Sequence, residues 1–249
     1  IFAKLGDLPL LEPATFQEAK DMTQWAFGLS EELGLPVMIR SVTRVSHARG
    51  NVRLDTLPHP VPKARFDLTR PRLAFPPLPS HKALRQKLER AGTLVATSPY
   101  NFYRGPEKPE LLLVTSGSGW MYSLEAVMNL GAADRVGLLK LSTTWPLPEA
   151  LVLKHLKQAE AILFVEEVDP FLENNVKELF AQHCMDLGLK RFYGKADGTM
   201  PNVGEISPEI VTSALQGWLK ISYSPRPEEY AKRAHEAAAE HVPARALGI

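Results

Sequence analysis

The sequence predicts an α/β protein of three layers, αβα, with a mostly parallel sheet between helices, preceded by an αβ piece of a second α/β domain and a proline-rich linker. Three observations carry this expectation. Residues 110–150 read as buried strand, glycine-serine turn, helix, strand and the start of another helix, which is a βαβ unit. The alternation then continues to residue 219. The run Leu111 to Val114 is apolar without interruption, as suits a strand covered on both faces.

In chain order, Thr15-Phe16-Gln17-Glu18 resembles a capping box, and Ala19, Thr23, Ala26, Ser30 and Leu33 share a face at helical spacing, with Met22, Phe27 and Leu29 widening the stripe. A helix over 16–33 follows, stopped at Gly34, and Val37-Met38-Ile39 reads as a buried strand. One such αβ unit cannot bury both of its faces, so its partners are expected upstream of Ile1. Residues 1–54 are therefore assigned to the end of an incomplete domain.

Residues 55–107 form a linker with one helix. Seven of the 25 residues from Asp55 to Pro79 are proline, which excludes helix and central strand there. Ser80 then caps a helix through Leu84, Leu88 and Ala91, and Ser98 to Pro106 reads as a loop. The main domain spans 108–222. After its opening unit come strand 136–141, helix 148–158, strand 161–166, helix 171–187, strand 190–193 and helix 208–219. Cys184 lies on the same face as Phe180 and is expected in the core. Ser207-Pro208-Glu209 opens the last of these helices, with Ile210, Ala214 and Trp218 facing inward. Residues 223–249 read as a tail leading to a further domain, a surface helix or an ordered lead.

Composition excludes several classes. The 249 residues carry 29 Lys plus Arg against 28 Asp plus Glu, so no bulk field favours nucleic acid or an anionic membrane. The single cysteine excludes an intramolecular disulfide and any multi-thiolate site built from this chain, and a reducing cytoplasm is expected. No apolar stretch approaches the roughly 18 residues a membrane span needs. The chain opens on Ile1 rather than Met, so a piece of a longer polypeptide is expected.

Two places could hold a ligand. The turn Ser116, Gly117, Ser118, Gly119 opens a helix, where free N–H groups and the helix dipole can hold an anion; the alternative is a glycine turn that lets helix and strand pack closely. It matches neither a Walker A sequence nor GxGxxG. The segment from Arg40 to Arg49, with Arg40, Arg44, Ser46 and His47, ends a strand where ligands of open sheets bind; the alternative is arginines paired with acids across an interface. Glu166, Glu167 and Asp169 could do acid/base work or satisfy Arg and Lys groups across an interface. Ala196-Asp197-Gly198 falls short of a magnesium-diphosphate motif: its first glycine is missing, and Asn174-Asn175 lies upstream rather than downstream. It reads as a turn. The histidines form no metal or triad spacing. A flavodoxin-like module holding a flavin at Ser116–Gly119 against Trp120 or Trp145 is a separate possibility.

Longer stretches carry a resemblance. LPLLEPATFQEAKDMTQWAFGLSEELGLPVMIRSVTRVSHARG resembles the end of the pyrimidine-binding domain in the large subunit of indolepyruvate ferredoxin oxidoreductases. TSGSG, LKLSTTWPLP, VEEVDPFLENNVKEL and GKADGTMPNVGEISPEIV resemble the transketolase C-terminal-like domain of the same subunit. The resemblance implies a thiamine diphosphate-dependent enzyme of anaerobic amino-acid catabolism. It oxidatively decarboxylates arylpyruvates, passes electrons through iron–sulfur (4Fe–4S) clusters to ferredoxin, and hands the acyl group to coenzyme A. It further implies an oligomer with a smaller beta subunit, and places the thiamine, magnesium and cluster ligands in the remaining domains of the subunit. No catalytic residue, cofactor or metal ligand is expected in this chain, and Glu12 belongs to the Glu-Pro pattern rather than being the cofactor's glutamate. The rivals are another 2-oxoacid oxidoreductase or a thiamine-dependent dehydrogenase.

Overall fold

The computed structural model describes residues 2–56, 77–224 and 228–240. Most of the proline-rich stretch lies outside the described residues, as do residues 241–249.

A five-stranded sheet organises the main domain. Its strands are β3 (Phe102–Arg104), β4 (Leu111–Thr115), β5 (Val136–Lys140), β7 (Ala161–Val165) and β8 (Arg191–Tyr193), in the order β3-β5-β4-β7-β8. The last four are parallel and β3 is an antiparallel edge. Side chains alternate across the central strands. Leu111, Leu113, Val136, Leu138, Leu163 and Val165 face the layer of α5 (Ser118–Asn129) and α8 (Pro208–Leu219). Leu112, Val114, Leu139, Ile162 and Phe164 face α6 (Glu149–Gln158) and α7 (Phe171–Leu187). Both sheet faces are covered, which is why the strands read as unbroken apolar runs.

The amino-terminal segment is built onto this domain. It comprises α1 (Phe2–Leu5), β1 (Leu10–Leu11), α2 (Phe16–Leu33), β2 (Met38–Ile39) and α3 (Thr43–His47). β1 pairs in parallel with β2 and antiparallel with β6 (Thr143–Trp145). Among the described residues, then, the αβ piece finds neighbours both within its own segment and in the loop that follows β5. The Val37–Ile39 strand is half-buried rather than fully buried.

α2 begins with a variant of its capping box, in which the returning bond goes to the residue before the N-cap Thr15. Thr15 Oγ1 accepts the Glu18 N–H at 3.2 Å, and Glu18 Oε2 accepts the Ala14 N–H at 2.9 Å. The other Glu18 oxygen takes Lys140 Nζ at 2.7 Å, and that ammonium, on a side chain with no exposed surface, also donates to Ser142 Oγ at 2.6 Å. Burial lowers the Lys140 pKa, opposed by the Glu18 charge and hydrogen bond.

Several expectations are corrected. α4 (Pro77–Ala96) starts three residues before Ser80, so Ser80 sits in its first turn and does not cap it. Residues 98–106 include β3, concealed by the Arg104-Gly105-Pro106 punctuation. Cys184 is exposed. The buried stripe of α7 runs through Leu172, Val176 and Leu179, with Leu187 packed against the same core, and at about 100° per residue Cys184 falls to one side of it. In α8 the fully buried stripe is Val211, Leu215 and Leu219, one residue on from Ile210, Ala214 and Trp218, which pack at its margin. In the tail, α9 (Glu228–Glu240) is a helix.

Removing Glu18 strands a buried ammonium, whereas removing Lys140 leaves a carboxylate that water can reach. Glu18→Ala is therefore expected to lower unfolding free energy by about 3–5 kcal/mol and Lys140→Met by clearly less, read by urea denaturation. Equal losses would refute the asymmetry.

Candidate functional site

The turn after β4 and the strand β6 meet the amino-terminal segment at one residue, Glu12. Its backbone N–H donates to the Ser142 carbonyl at 2.7 Å, which carries the side chain toward the sheet. The carboxylate is 2% exposed and accepts from Arg40 Nη2 at 2.7 Å, Thr144 Oγ1 at 2.8 Å and Ser116 Oγ at 3.1 Å. Three donors from three separate segments replace the water this carboxylate has lost. Arg40 continues the connection by donating to the Glu167 carbonyl.

The sequence candidates divide accordingly. Arg40 and Ser116 are brought together through Glu12. Arg44 pairs with Glu205 at 2.9 Å and lies 5.8 Å from the centre of the Tyr122 ring. Ser46 donates to Ser41 at 2.9 Å, and both Ser46 and His47 are exposed on α3, a short helix in the segment read as the end of a strand. Gly117 has φ 52° and stands 3.7 Å (measured from an added Cβ) from Glu12 Oε2. Ser118 is buried in the first turn of α5. At Gly119 an added Cβ would lie 2.5 Å from the Val165 carbonyl oxygen and 2.6 Å from Thr115 Oγ1, so glycine is what lets α5 approach β7. Trp120 is buried edge-on against Phe102, not presented at the turn.

Glu166 and Glu167, which follow β7, accept from backbone groups instead of Arg or Lys side chains. Glu166 accepts the N–H groups of Leu172 at 2.6 Å and Glu173 at 2.7 Å, capping α7 from within the core. Desolvation pushes its pKa up to about 7, with the two N–H groups pulling the other way and the Glu12 charge adding to the rise. Glu167 Oε1 accepts the Ile206 N–H at 3.2 Å. Asp197 accepts from Gly194 N, Thr199 N and Thr199 Oγ1, the turn expected of it. Among the described residues no three His, Cys, Asp or Glu side chains gather as a metal site.

The role of Glu12 escaped sequence reading, since its partners lie 28, 104 and 132 residues away. The capping role of Glu166 was equally hidden, because a cap six residues before the N–H it holds follows no local spacing.

The chain has counterparts among known proteins. The chain is 33% identical over 243 residues to the indolepyruvate oxidoreductase subunit IorA of Pyrococcus abyssi, covering 92% of this chain. It is 35% identical over 222 residues to the subunit of that name from Methanothermobacter thermautotrophicus, covering 87%. Over about nine-tenths of its length the chain is thus similar to part of the indolepyruvate oxidoreductase subunits named IorA. It spans about a third of the length of these curated relatives, 36% and 35%. No family model matches. In fold, the chain is similar to a 2-oxoglutarate:ferredoxin oxidoreductase from Magnetococcus marinus solved with 2-oxoglutarate, coenzyme A and succinyl-CoA bound. The TM-score is 0.55 at 14% identity, over 84% of this chain and 42% of that one.

Two outcomes follow for this chain. Glu12→Ala leaves Arg40, Thr144 and Ser116 without their acceptor and should cost about 3–5 kcal/mol in urea denaturation; a loss under about 1 kcal/mol would show the contacts to be incidental. Glu166 is raised from an ordinary 4.5 to about 7, so between those values the folded chain holds a proton the unfolded chain has released. Its contribution is complete below pH 4.5 and lost as pH rises through 7, about 3 kcal/mol in all, and Glu166→Gln should flatten that slope in urea midpoints measured across the range.

Proposed function

We propose that this chain is part of the large subunit of a thiamine diphosphate-dependent 2-oxoacid:ferredoxin oxidoreductase, which oxidatively decarboxylates indolepyruvate and related arylpyruvates to acyl-coenzyme A and reduces ferredoxin. The observation that carries the reading is the 33–35% identity to subunits named for indolepyruvate, sustained over about nine-tenths of the chain. The enzyme is cytoplasmic and oligomeric, with a smaller beta subunit.

Within that enzyme the chain is a scaffold at domain and subunit interfaces, holding other parts in place without reacting itself. The geometry of Glu12 supports this. A diphosphate at the Ser116–Gly119 turn would lie against a buried carboxylate already bonded to Ser116, so the turn does not fit that group. Thiamine diphosphate, magnesium and iron–sulfur clusters are held by the remaining domains of the subunit.

The test uses the longer subunit that contains this chain, produced anaerobically with its partner subunit. Indolepyruvate should support coenzyme A-dependent ferredoxin reduction with a higher kcat/KM than pyruvate or 2-oxoglutarate. Preference for either of those acids would overturn the substrate assignment. Turnover of indolepyruvate by the 249-residue chain alone would overturn the scaffold role.

A further inference from the structure

The small sheet has the order β2-β1-β6, so β2 pairs with β1 and, among the described residues, with no strand on its other side. The ladder takes the Met38 N–H to the Pro9 carbonyl at 2.8 Å and the Arg40 N–H to the Leu11 carbonyl at 2.9 Å. Backbone groups alternate in direction along a strand, so Ile39, between these two, turns its N–H and carbonyl to the open side. Neither residue of β2 is charged, whereas the edges of the main sheet carry Arg104 and Arg191.

A groove of about 420 Å³ runs beside this edge, between β2 and α2. Val37 and Ile39 wall it on the strand side, and Thr23, Ala26, Phe27 and Ser30 on the helix side. Those four stand at helical spacing and form one face of α2. No charged side chain lines the groove. Phe27 belongs by its spacing to the apolar stripe of α2, yet it is 71% exposed, while Met22, Ala26, Leu29 and Leu33 fill the buried part of that stripe. The apolar face of α2 is thus wider than the neighbours that cover it here.

Two features select the occupant. The backbone of Ile39 is complemented by another extended backbone, and the groove by uncharged apolar side chains at alternate positions. A small ligand meets only the second demand, and a β-strand meets both. Length indicates the source of that strand: this chain matches 36% and 35% of the related subunits, so the larger part of such a subunit lies outside it.

We propose that the open edge of β2 is extended by a strand from the part of the longer subunit outside residues 1–249, paired through Ile39 and setting an apolar side chain against Phe27, Val37 and Ile39. This contact requires the chain to be part of a longer subunit, as proposed above, but requires no particular substrate.

The test uses the longer subunit that contains this chain, together with its partner subunit. Amide hydrogen exchange at Ile39 should be at least about a hundredfold slower than in an unstructured peptide of the same sequence. Phe27→p-benzoylphenylalanine, an aromatic for an aromatic at an exposed position, should on irradiation cross-link to an alternately apolar segment of the same polypeptide outside this chain. Mixing isotopically labelled and unlabelled subunits separates that product from a cross-link between two copies. Phe27→Gln should lower the urea midpoint, since the same change at a solvent-facing helix position is nearly neutral. Exchange at the unstructured rate would overturn the pairing, and an unchanged midpoint would overturn the covered groove. A cross-link to a second copy or to the partner subunit, or none at all, would overturn the assigned occupant. None of these measurements reads turnover, so their failure leaves the oxidoreductase reading standing, and a failed turnover assay leaves this contact standing.

Discussion

A carboxylate taken out of water must be given donors in its place, and the chain's shape around Glu12 answers that demand. The donors come from β2's end, from the turn after β4 and from β6, so the carboxylate can be satisfied only when all three segments are in position. Lys140 imposes the same demand with the opposite sign: an ammonium beneath the surface draws in Glu18, Ser142 and the Tyr100 carbonyl. The two charges sit on opposite partners. Glu12 belongs to the amino-terminal segment and Lys140 to the central sheet, so each body holds a buried group whose counter-charge or donors the other supplies. Hydrophobic contact between α2 and α4 then fills space around a relation that polar groups have already determined. Nonpolar burial tolerates sliding and repacking; these hydrogen bonds do not.

The αβα domain was legible because parallel strands and their covering helices state their pattern locally. Leu111 to Val114 and Ala161 to Val165 are apolar at every position since both faces are covered, and α7 keeps its bounds because Gly188 ends it where the periodicity stops. Three short strands were not legible. β1 has two residues, β3 and β6 three each, and such strands exist through their partners and not through any run of their own. Their absence from the reading made the amino-terminal αβ unit seem to lack neighbours. Cys184 and the α8 stripe were misplaced for a related reason: periodicity gives the direction of a face to within about one residue, and the packing of each helix decides which edge of that face is buried.

The site was legible only by half. Arg40 and Ser116 stood out as residue types at the carboxyl ends of strands, where ligands gather in such folds. What joins them is a glutamate more than a hundred residues from Ser116, and no local pattern reports a contact at that range. The anion suited to the turn is present after all, as a side chain of the same chain. The carboxyl group that caps α7 carries the same lesson, since its proton affinity depends on burial and on Glu12, neither of which is written near Glu166.

The main sheet ends on strands of three residues at both margins, β3 and β8, with Arg104 and Arg191 exposed on them. An unpaired strand invites another chain to continue the ladder, and brevity together with charge makes that continuation poor. A chain with so apolar a central sheet thus carries its own protection against edge-to-edge aggregation. That protection would have to be preserved in any attempt to lengthen β3 or to replace its arginine.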